Sequence, residues 1–394
     1  MEKVVLAYSG GLDTSFCAVY LAKEKNLEVH AVLADVGGFS KEELDQIKER
    51  ALSLGVKSFK VLDLKETFYN DMVKYLVYSN ALKNNTYPLS VSAERTTQSI
   101  AIAKYAIEIG AKYLSHGSTG AGNDQIRFDV CFQVLAPQIE IITPIRDLSI
   151  SREQEIEYLN SHGVKIDFQK AKYSINQGLW GTSIGGVETL SSNGVLPEIA
   201  YPSQVTEREN KKISIDFTKG EISGVNGKVF SEPWKAIKEL ESIVAPFGIG
   251  RDVHVGDTII GIKGRVGFQA SAAMVIIKAH HLLEKHTLTK NQLQIKDSLS
   301  TVLSTLVHEG QMLDPAVNDL KAYFTNSQEK VTGRVFAELL PYTFHLLGVE
   351  SQFDLMQSKF ATYGEENLLW SGEEARGYAK IAANNMKIYH QIHK

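Results

Sequence analysis

The chain has 394 residues, 43% of them hydrophobic and 22% charged, with a formal net charge of −4. That length suits two domains with sizeable cores. The charge gives no pull toward nucleic acid or an anionic membrane surface, and no apolar run reaches the roughly 20 residues of a membrane span. The N-terminus enters a strand pattern directly, without a signal-peptide layout. Cys17 and Cys131 each sit in an apolar segment with no metal-ligand spacing. They read as reduced core thiols, and a cytoplasmic protein is expected.

In chain order, residues 4–7 form a short apolar run that ends in Ser9-Gly10-Gly11. Asp13-Thr14-Ser15 and a helical pattern over 14–25 follow. Further strands are expected at 29–33, 58–62, 113–116 and 139–143. Helices are expected at 41–54, 65–79, 94–110 and 125–136. This alternation predicts an α/β fold with a doubly wound parallel sheet. Ligands bind at the carboxyl ends of such strands, which selects the loops after Ala7, Leu33 and His116. A helix over 151–161 comes next. Residues 168–200 are rich in Gly, Ser and Asn with little periodicity, and read as a long functional or disordered loop. Residues 211–217 and 221–230 predict a hairpin, with helices at 233–245, 270–285, 290–309 and 314–325. A second hairpin is expected at 333–340 and 342–348, and a terminal helix at 373–390. There Ala375, Tyr378, Ile381, Ala382 and Met386 are spaced to bury one face.

Three segments carry chemistry. A strand that feeds Ser9-Gly10-Gly11 and a helix start is a phosphate site, because backbone N–H groups and the helix dipole face the anion. The Walker pattern is absent, so this is a phosphate loop of another kind. The second segment runs from His116 through Gly117, Thr119 and Ala121 to Asn123, Asp124 and Arg127. It is again a strand end, a glycine turn and a helix start. Asn123 or Asp124 would cap the helix, and Asn123 and Arg127 share a face. An amide, a carboxylate and a guanidinium would then meet at one point. His116 reads either as a base or as a packed strand-end histidine. The third segment places the hydroxyls of Tyr87 and Ser92 ahead of a helix, suited to a carboxylate.

The loop at 9–15 resembles the pyrophosphate loop of the ATP pyrophosphatase superfamily. Residues 7–15, 33–34, 87–92, 115–127 and 173–183 together resemble the argininosuccinate synthase family, with weaker matches at 248–251, 287–289 and 331–333. The resemblance implies a nucleotide-binding domain over 1–165 and an α+β synthetase domain over 166–370. It also implies a C-terminal helix over 371–394 that assembles a homotetramer. The implied activity is an ATP- and Mg²⁺-dependent ligase of arginine biosynthesis. It condenses citrulline with aspartate through a citrullyl-adenylate and releases AMP and pyrophosphate. Ala7, Tyr8, Ser9, Gly10, Gly11, Leu12, Asp13, Thr14, Ser15, Ala34 and Gly117 would hold ATP. Thr119, Asn123 and Asp124 would hold aspartate. Tyr87, Ser92, Asn123, Arg127, Ser174 and Ser183 would hold citrulline. Asn123, Asp124 and Arg127 would carry the chemistry, with no protein-held metal, small-molecule substrates only, and neither nucleic acid nor membrane as partner.

The equipment suits the task. A ureido carbon is a poor electrophile, because two nitrogens donate into it. Adenylating its oxygen creates a leaving group, and an amine can then attack. Two other classes compete: a tRNA-modifying enzyme with the same loop, and a non-catalytic nucleotide-binding regulator. The first wants a basic face and a catalytic cysteine pair. The intact phosphate loop argues against the second.

The chain departs from the family's pattern at several positions. Ala121 replaces a lysine, and the helix start reads Ser92-Ala-Glu-Arg-Thr96. The run Ser174-Ile-Asn-Gln-Gly-Leu179 lacks two carboxylates. Gly256 stands where the family has a citrulline-binding Glu, and Phe268 where it has a citrulline-binding Tyr. Loss of a buried cation's partner costs roughly 3–5 kcal/mol. Glycine is expected to open space there. Either Asp257 takes over the α-ammonium, or the substrate carries none, as in an α-N-acylated citrulline.

Overall fold

The computed structural model describes residues 1–164, 173–359 and 369–394. Strand β1 (Lys3–Ala7) is buried on both faces. Val4 and Leu6 pack with Phe16 and Ala18 on one side, while Val5 and Ala7 pack with Ile102 and Phe128 on the other. Such a strand is a near-continuous apolar run, as in a parallel sheet covered by helices. Around it follow α1 (Leu12–Lys23), β2 (Glu28–Asp35), α2 (Lys41–Ser53), β3 (Ser58–Asp63), α3 (Lys65–Phe68), α4 (Lys74–Tyr78), α5 (Ser90–Glu108), β4 (Tyr113–His116), α6 (Asp124–Leu135), β5 (Glu140–Ile142), α7 (Pro144–Leu148) and α8 (Arg152–Ser161). The five strands are parallel in the order β3-β2-β1-β4-β5. Strand order reverses between β1 and β4, so a crevice for ligand forms at the ends of those two strands. The expected doubly wound sheet is present.

The second half holds two antiparallel sheets. Strands β6 (Ser174–Gly178), β7 (Gly181–Gly185), β11 (Arg251–Asp257) and β12 (Lys263–Gln269) pair in the order β11-β12-β7-β6. Strands β8 (Lys211–Thr218), β9 (Glu221–Val225), β10 (Lys228–Val229), β13 (Gly333–Leu340) and β14 (Thr343–Glu350) pair as β10-β9-β8-β13-β14. Helices α9 (Pro233–Val244), α10 (Ser271–Thr287), α11 (Lys290–His308) and α12 (Ala316–Ser327) pack around them, and α13 (Gly372–Ala382) and α14 (Asn384–Ile392) end the chain.

Several expectations change. The segment 168–200 is no featureless loop: its described part contains the hairpin β6–β7. The β11–β12 hairpin went unread in the sequence. Helix α5 begins at Ser90, four residues earlier than expected. Leu89 takes a left-handed φ of 64°, and the Val91 N–H donates to the Tyr87 hydroxyl, which satisfies one open donor of the first turn. A π turn over Tyr69–Val73 joins α3 to α4. The terminal helix breaks at Ala383, and its apolar positions are exposed, with Tyr378 at 76% and Ile381 at 71%. The domain boundary expected at 165–166 lies outside the described residues.

Candidate active site

The phosphate loop is shaped from below by α2. Gly10 has φ +80°, a left-handed conformation that favours glycine, and an added Cβ would touch Ile47 Cγ1 at 3.0 Å. Arg50 donates to the Gly10 carbonyl. Ser9 Oγ lies 3.4 Å from Thr14 Oγ1, and the Gly11 N–H points at Ser9 Oγ from 3.5 Å. No side chain caps the start of α1, and Ser15 Oγ is buried beside the Tyr8 hydroxyl. Open N–H groups are what an anion would satisfy. Leu12 and Tyr8 are buried beneath the loop. Asp13 faces Glu155. Burial pushes the Asp13 carboxyl up, and it pushes Glu155 up to about 8 with the Asp13 charge adding to it.

The second glycine turn closes on the first. A Cβ on Gly117 would meet Thr14 Cγ2 at 3.1 Å and the Asp13 carbonyl carbon at 3.2 Å. The end of β4 therefore touches the start of α1. Beyond that contact Asp124 is held between Arg95 Nε at 2.9 Å and Arg127 Nη1 at 2.8 Å. Burial raises the Asp124 carboxyl, but the two guanidinium groups prevail and hold it below its usual range. Arg95 also donates to Asn176 (2.6 Å) and Gln98 (2.9 Å), and Gln98 donates to the Ala34 carbonyl (3.0 Å). One network thus joins Ala34, Asp124 and Arg127. Arg95, Gln98 and Asn176 belong to it and were missed as site residues, because their signal is spatial. Asn123 takes the cap position of α6 without capping it. Its Oδ1 accepts the Ile259 N–H at 2.8 Å instead. Thr119 lies exposed on the turn between the two halves of the motif.

Two models cover the chain: the arginosuccinate synthase N-terminal HUP domain matches residues 3–165, and the C-terminal domain of the same enzyme matches 173–389. The chain belongs to the argininosuccinate synthase family. It is 40% identical to argininosuccinate synthase of Dictyoglomus thermophilum over 96% of this chain and 95% of that one. It is 35% identical to that of Methanocaldococcus jannaschii over 99% and 98%, and 34% identical to that of Xanthomonas campestris over 100% and 99%. It is therefore an ATP-using carbon–nitrogen ligase of arginine biosynthesis.

With the family in hand, the remaining residues sort by place. His116 is a packed histidine. Its Nε2 donates to Asp129 at 3.0 Å, its Nδ1 accepts the Ser118 N–H at 3.2 Å, and its ring stacks on Phe128. Both nitrogens are occupied, so the reading as a base fails. The Tyr87 hydroxyl pairs with Ser90 Oγ at 3.1 Å, and its ring lies against His254 (5.3 Å) and Phe268 (5.4 Å). Ser92 is buried in the first turns of α5. Ser183 sits opposite Phe268 in the β7–β12 ladder, whereas Ser174 lies exposed toward the far end of β6. Arg127 spends Nε and Nη2 on the His308 carbonyl, at 3.0 and 2.8 Å.

The departures from the argininosuccinate synthase pattern acquire physical reasons. Glu94 is buried, its Oε1 has no partner, and burial pushes its carboxyl up to about 8. A side chain at Gly178 would run into Glu94 Oε1. Glu94 and the absence of a side chain at position 178 are thus sterically linked. Gly256 opens no space, contrary to expectation. An added Cβ would meet His254 Nε2 at 2.7 Å and Asn84 Nδ2 at 3.2 Å. Asp257 does not replace the missing carboxylate either, because it is exposed and pairs with Lys263 at 2.6 Å.

Proposed function

We propose that this chain adenylates the ureido oxygen of a citrulline-type substrate and passes the activated carbon to the amine of aspartate, with AMP and pyrophosphate as products. The observation that carries the reading is the contact of Gly117 with Asp13 and Thr14, which sets the Asp124–Arg127 cluster beside the phosphate loop. Gly10, Gly11, Thr14 and Ser15 would receive the pyrophosphate, and Ala34 and Gly117 would border the nucleotide. Thr119, Asn123 and Asp124 would orient aspartate. Asn123, Arg127, Tyr87, Ser92 and Ser183 would orient the ureido substrate, with Ser174 joining from the strand end. Asp124 would steer the amine rather than take its proton, since two guanidinium groups keep it a weak base. Mg²⁺ arriving on the ATP phosphates would supply neutralisation of the departing pyrophosphate, while Asp13 is engaged by Glu155.

The same reading divides the chain at 165/166 and 370/371. It makes α13–α14 the assembly element of a homotetramer, because Tyr378, Ile381, Met386, Ile388 and Ile392 are exposed along it. It locates a small-molecule enzyme in the cytoplasm, with no nucleic-acid partner. No described helix is long and apolar enough to cross a membrane. The test is product analysis: AMP and pyrophosphate should appear only with ATP, aspartate and a ureido amino acid together. ADP as the product would refute the loop assignment.

A further inference from the structure

Beside the phosphate loop lies an acidic pair that the proposed reaction does not use. Asp13 stands in the first turn of α1, and its backbone borders Gly117 at the crevice. Glu155 reaches it from α8. That helix packs along α1, with the rings of Phe16 and Tyr158 4.9 Å apart. A reciprocal capping box of Ser151 and Gln154 fixes the start of α8 just ahead of Glu155. Glu155 is 2% exposed, and its Oε2 is buried without a donor, whereas Asp13 is only partly buried. The two carboxyl groups lie within hydrogen-bond reach of each other. Both are acceptors when ionised, so the contact is repulsive unless one of them carries a proton.

The surroundings favour Glu155 as the carrier. Burial pushes both acids up, and the Asp13 charge adds to the rise of Glu155, which reaches about 8. Arg152 draws both back, and Glu153 adds a little to the rise of Glu155. Cys17, further along α1, keeps its thiol proton through burial and the charges of this pair. On α7, which also packs on α1, Arg146 is taken by Asp129 at 2.7 Å, and Asp147 accepts the Thr143 hydroxyl at 2.6 Å. Among the described residues no lysine or arginine forms a salt bridge with either acid of the pair.

We propose that Glu155 is a positioning residue for the phosphate site: its protonated carboxyl donates to Asp13 and leaves one negative charge beside the loop where two would stand. The inference rests on the assignment of that loop to the ATP phosphates. Phosphate on the open N–H groups of the loop brings further negative charge, so the loaded site holds the Glu155 proton more tightly than the empty one. Binding therefore draws a proton from solvent wherever Glu155 is partly ionised, and it weakens as pH rises through that range.

The test is titration calorimetry of the full-length protein with ATP and Mg²⁺, in two buffers of different ionisation heat, which counts the protons exchanged per ATP bound. At pH 8 the parent is expected to take up about 0.4 proton more than Glu155→Gln, whose amide keeps a donor for Asp13 but cannot titrate. Between pH 7 and pH 9 the Kd for ATP is expected to rise about fivefold more in the parent than in that variant. Glu94→Gln removes another group that titrates near 8 and is expected to keep the parent's uptake. At pH 7 Glu155→Gln is expected to bind ATP within about twofold of the parent, and Glu155→Ala about tenfold more weakly. Net release of protons by the parent, the sign for a pair that gives up its proton to a cation, overturns the proposal even if the variants fail to fold. Uptake that persists in Glu155→Gln overturns it as well. Both results leave the loop assignment standing, whereas a parent that binds no ATP removes that assignment and the inference with it.

Discussion

At the scale of single residues, close approach explains more than charge. Gly117 lets β4 lie on the phosphate loop, and backbone on the far side cannot yield. Gly117→Ala is expected to destabilise by about 1–3 kcal/mol and to raise KM for ATP more than KM for aspartate. Equal effects on both substrates would argue against a nucleotide-side role. Glu94 allows a pH prediction. Its carboxyl titrates near 8 in the fold against an ordinary value of 4.5, so the folded chain keeps a proton that the unfolded chain releases. Its contribution is fully present below about pH 4.5 and fades as pH rises toward 8, at up to about 1.4 kcal/mol per pH unit. Glu94→Gln should therefore lose less melting temperature than the parent between pH 5 and pH 8. A parallel loss in both proteins would contradict the burial of an unpaired carboxyl. Glu94 and Gly178 should also couple. Gly178→Ala is expected to be tolerated far better in a Glu94→Ala background, with an interaction energy of about 1–3 kcal/mol in a double-mutant cycle.

At the scale of elements, the helix that braces the loop lies outside it. Helix α2 is fixed at its start by a reciprocal Ser40–Glu43 capping box, and it presents Ile47 and Arg50 to Gly10. Arg50→Ala is expected to raise KM for ATP about tenfold and to leave KM for aspartate within about twofold; the reverse pattern would sever α2 from the nucleotide site. How legible each element was in the sequence follows from its packing. The parallel strands were readable because burial on both faces makes them apolar runs. Strand β11 was not, because its buried face carries His254 and Gly256 while Val255 is 54% exposed, so the hydrophobic signal is inverted. Strands β6 and β7 read Ser-Ile-Asn-Gln-Gly and Gly-Thr-Ser-Ile-Gly, with no alternation to find. They are held because β7 pairs with both β12 and β6, and by packing on α5. The phosphate loop and the Asp124–Arg127 pair were legible because they are local in sequence. Arg95 was not, because its partners Asp124 and Asn176 lie far along the chain.

At the scale of the molecule, the site belongs to neither half alone. Asn123 holds the Ile259 N–H, Arg127 holds the His308 carbonyl, and Arg95 reaches Asn176, so each crosses from the parallel sheet to the second half. Asn123 and Arg127, proposed to position substrate, are therefore also residues that join the halves. The exposed apolar side chains of α13 and α14 point to a further level of assembly. Removal of residues 371–394 is expected to reduce a species of four chain masses in light scattering to a smaller one, and an unchanged mass would deny these helices that role. The central claim is the chemistry at the β1–β4 crevice, and a single measurement bears on it most directly. Purified full-length protein is given ATP, aspartate and a ureido amino acid, and the nucleotide product is resolved. AMP with equimolar pyrophosphate, absent when either co-substrate is omitted, is the predicted result; ADP, or AMP that forms without aspartate at the same rate, would contradict it.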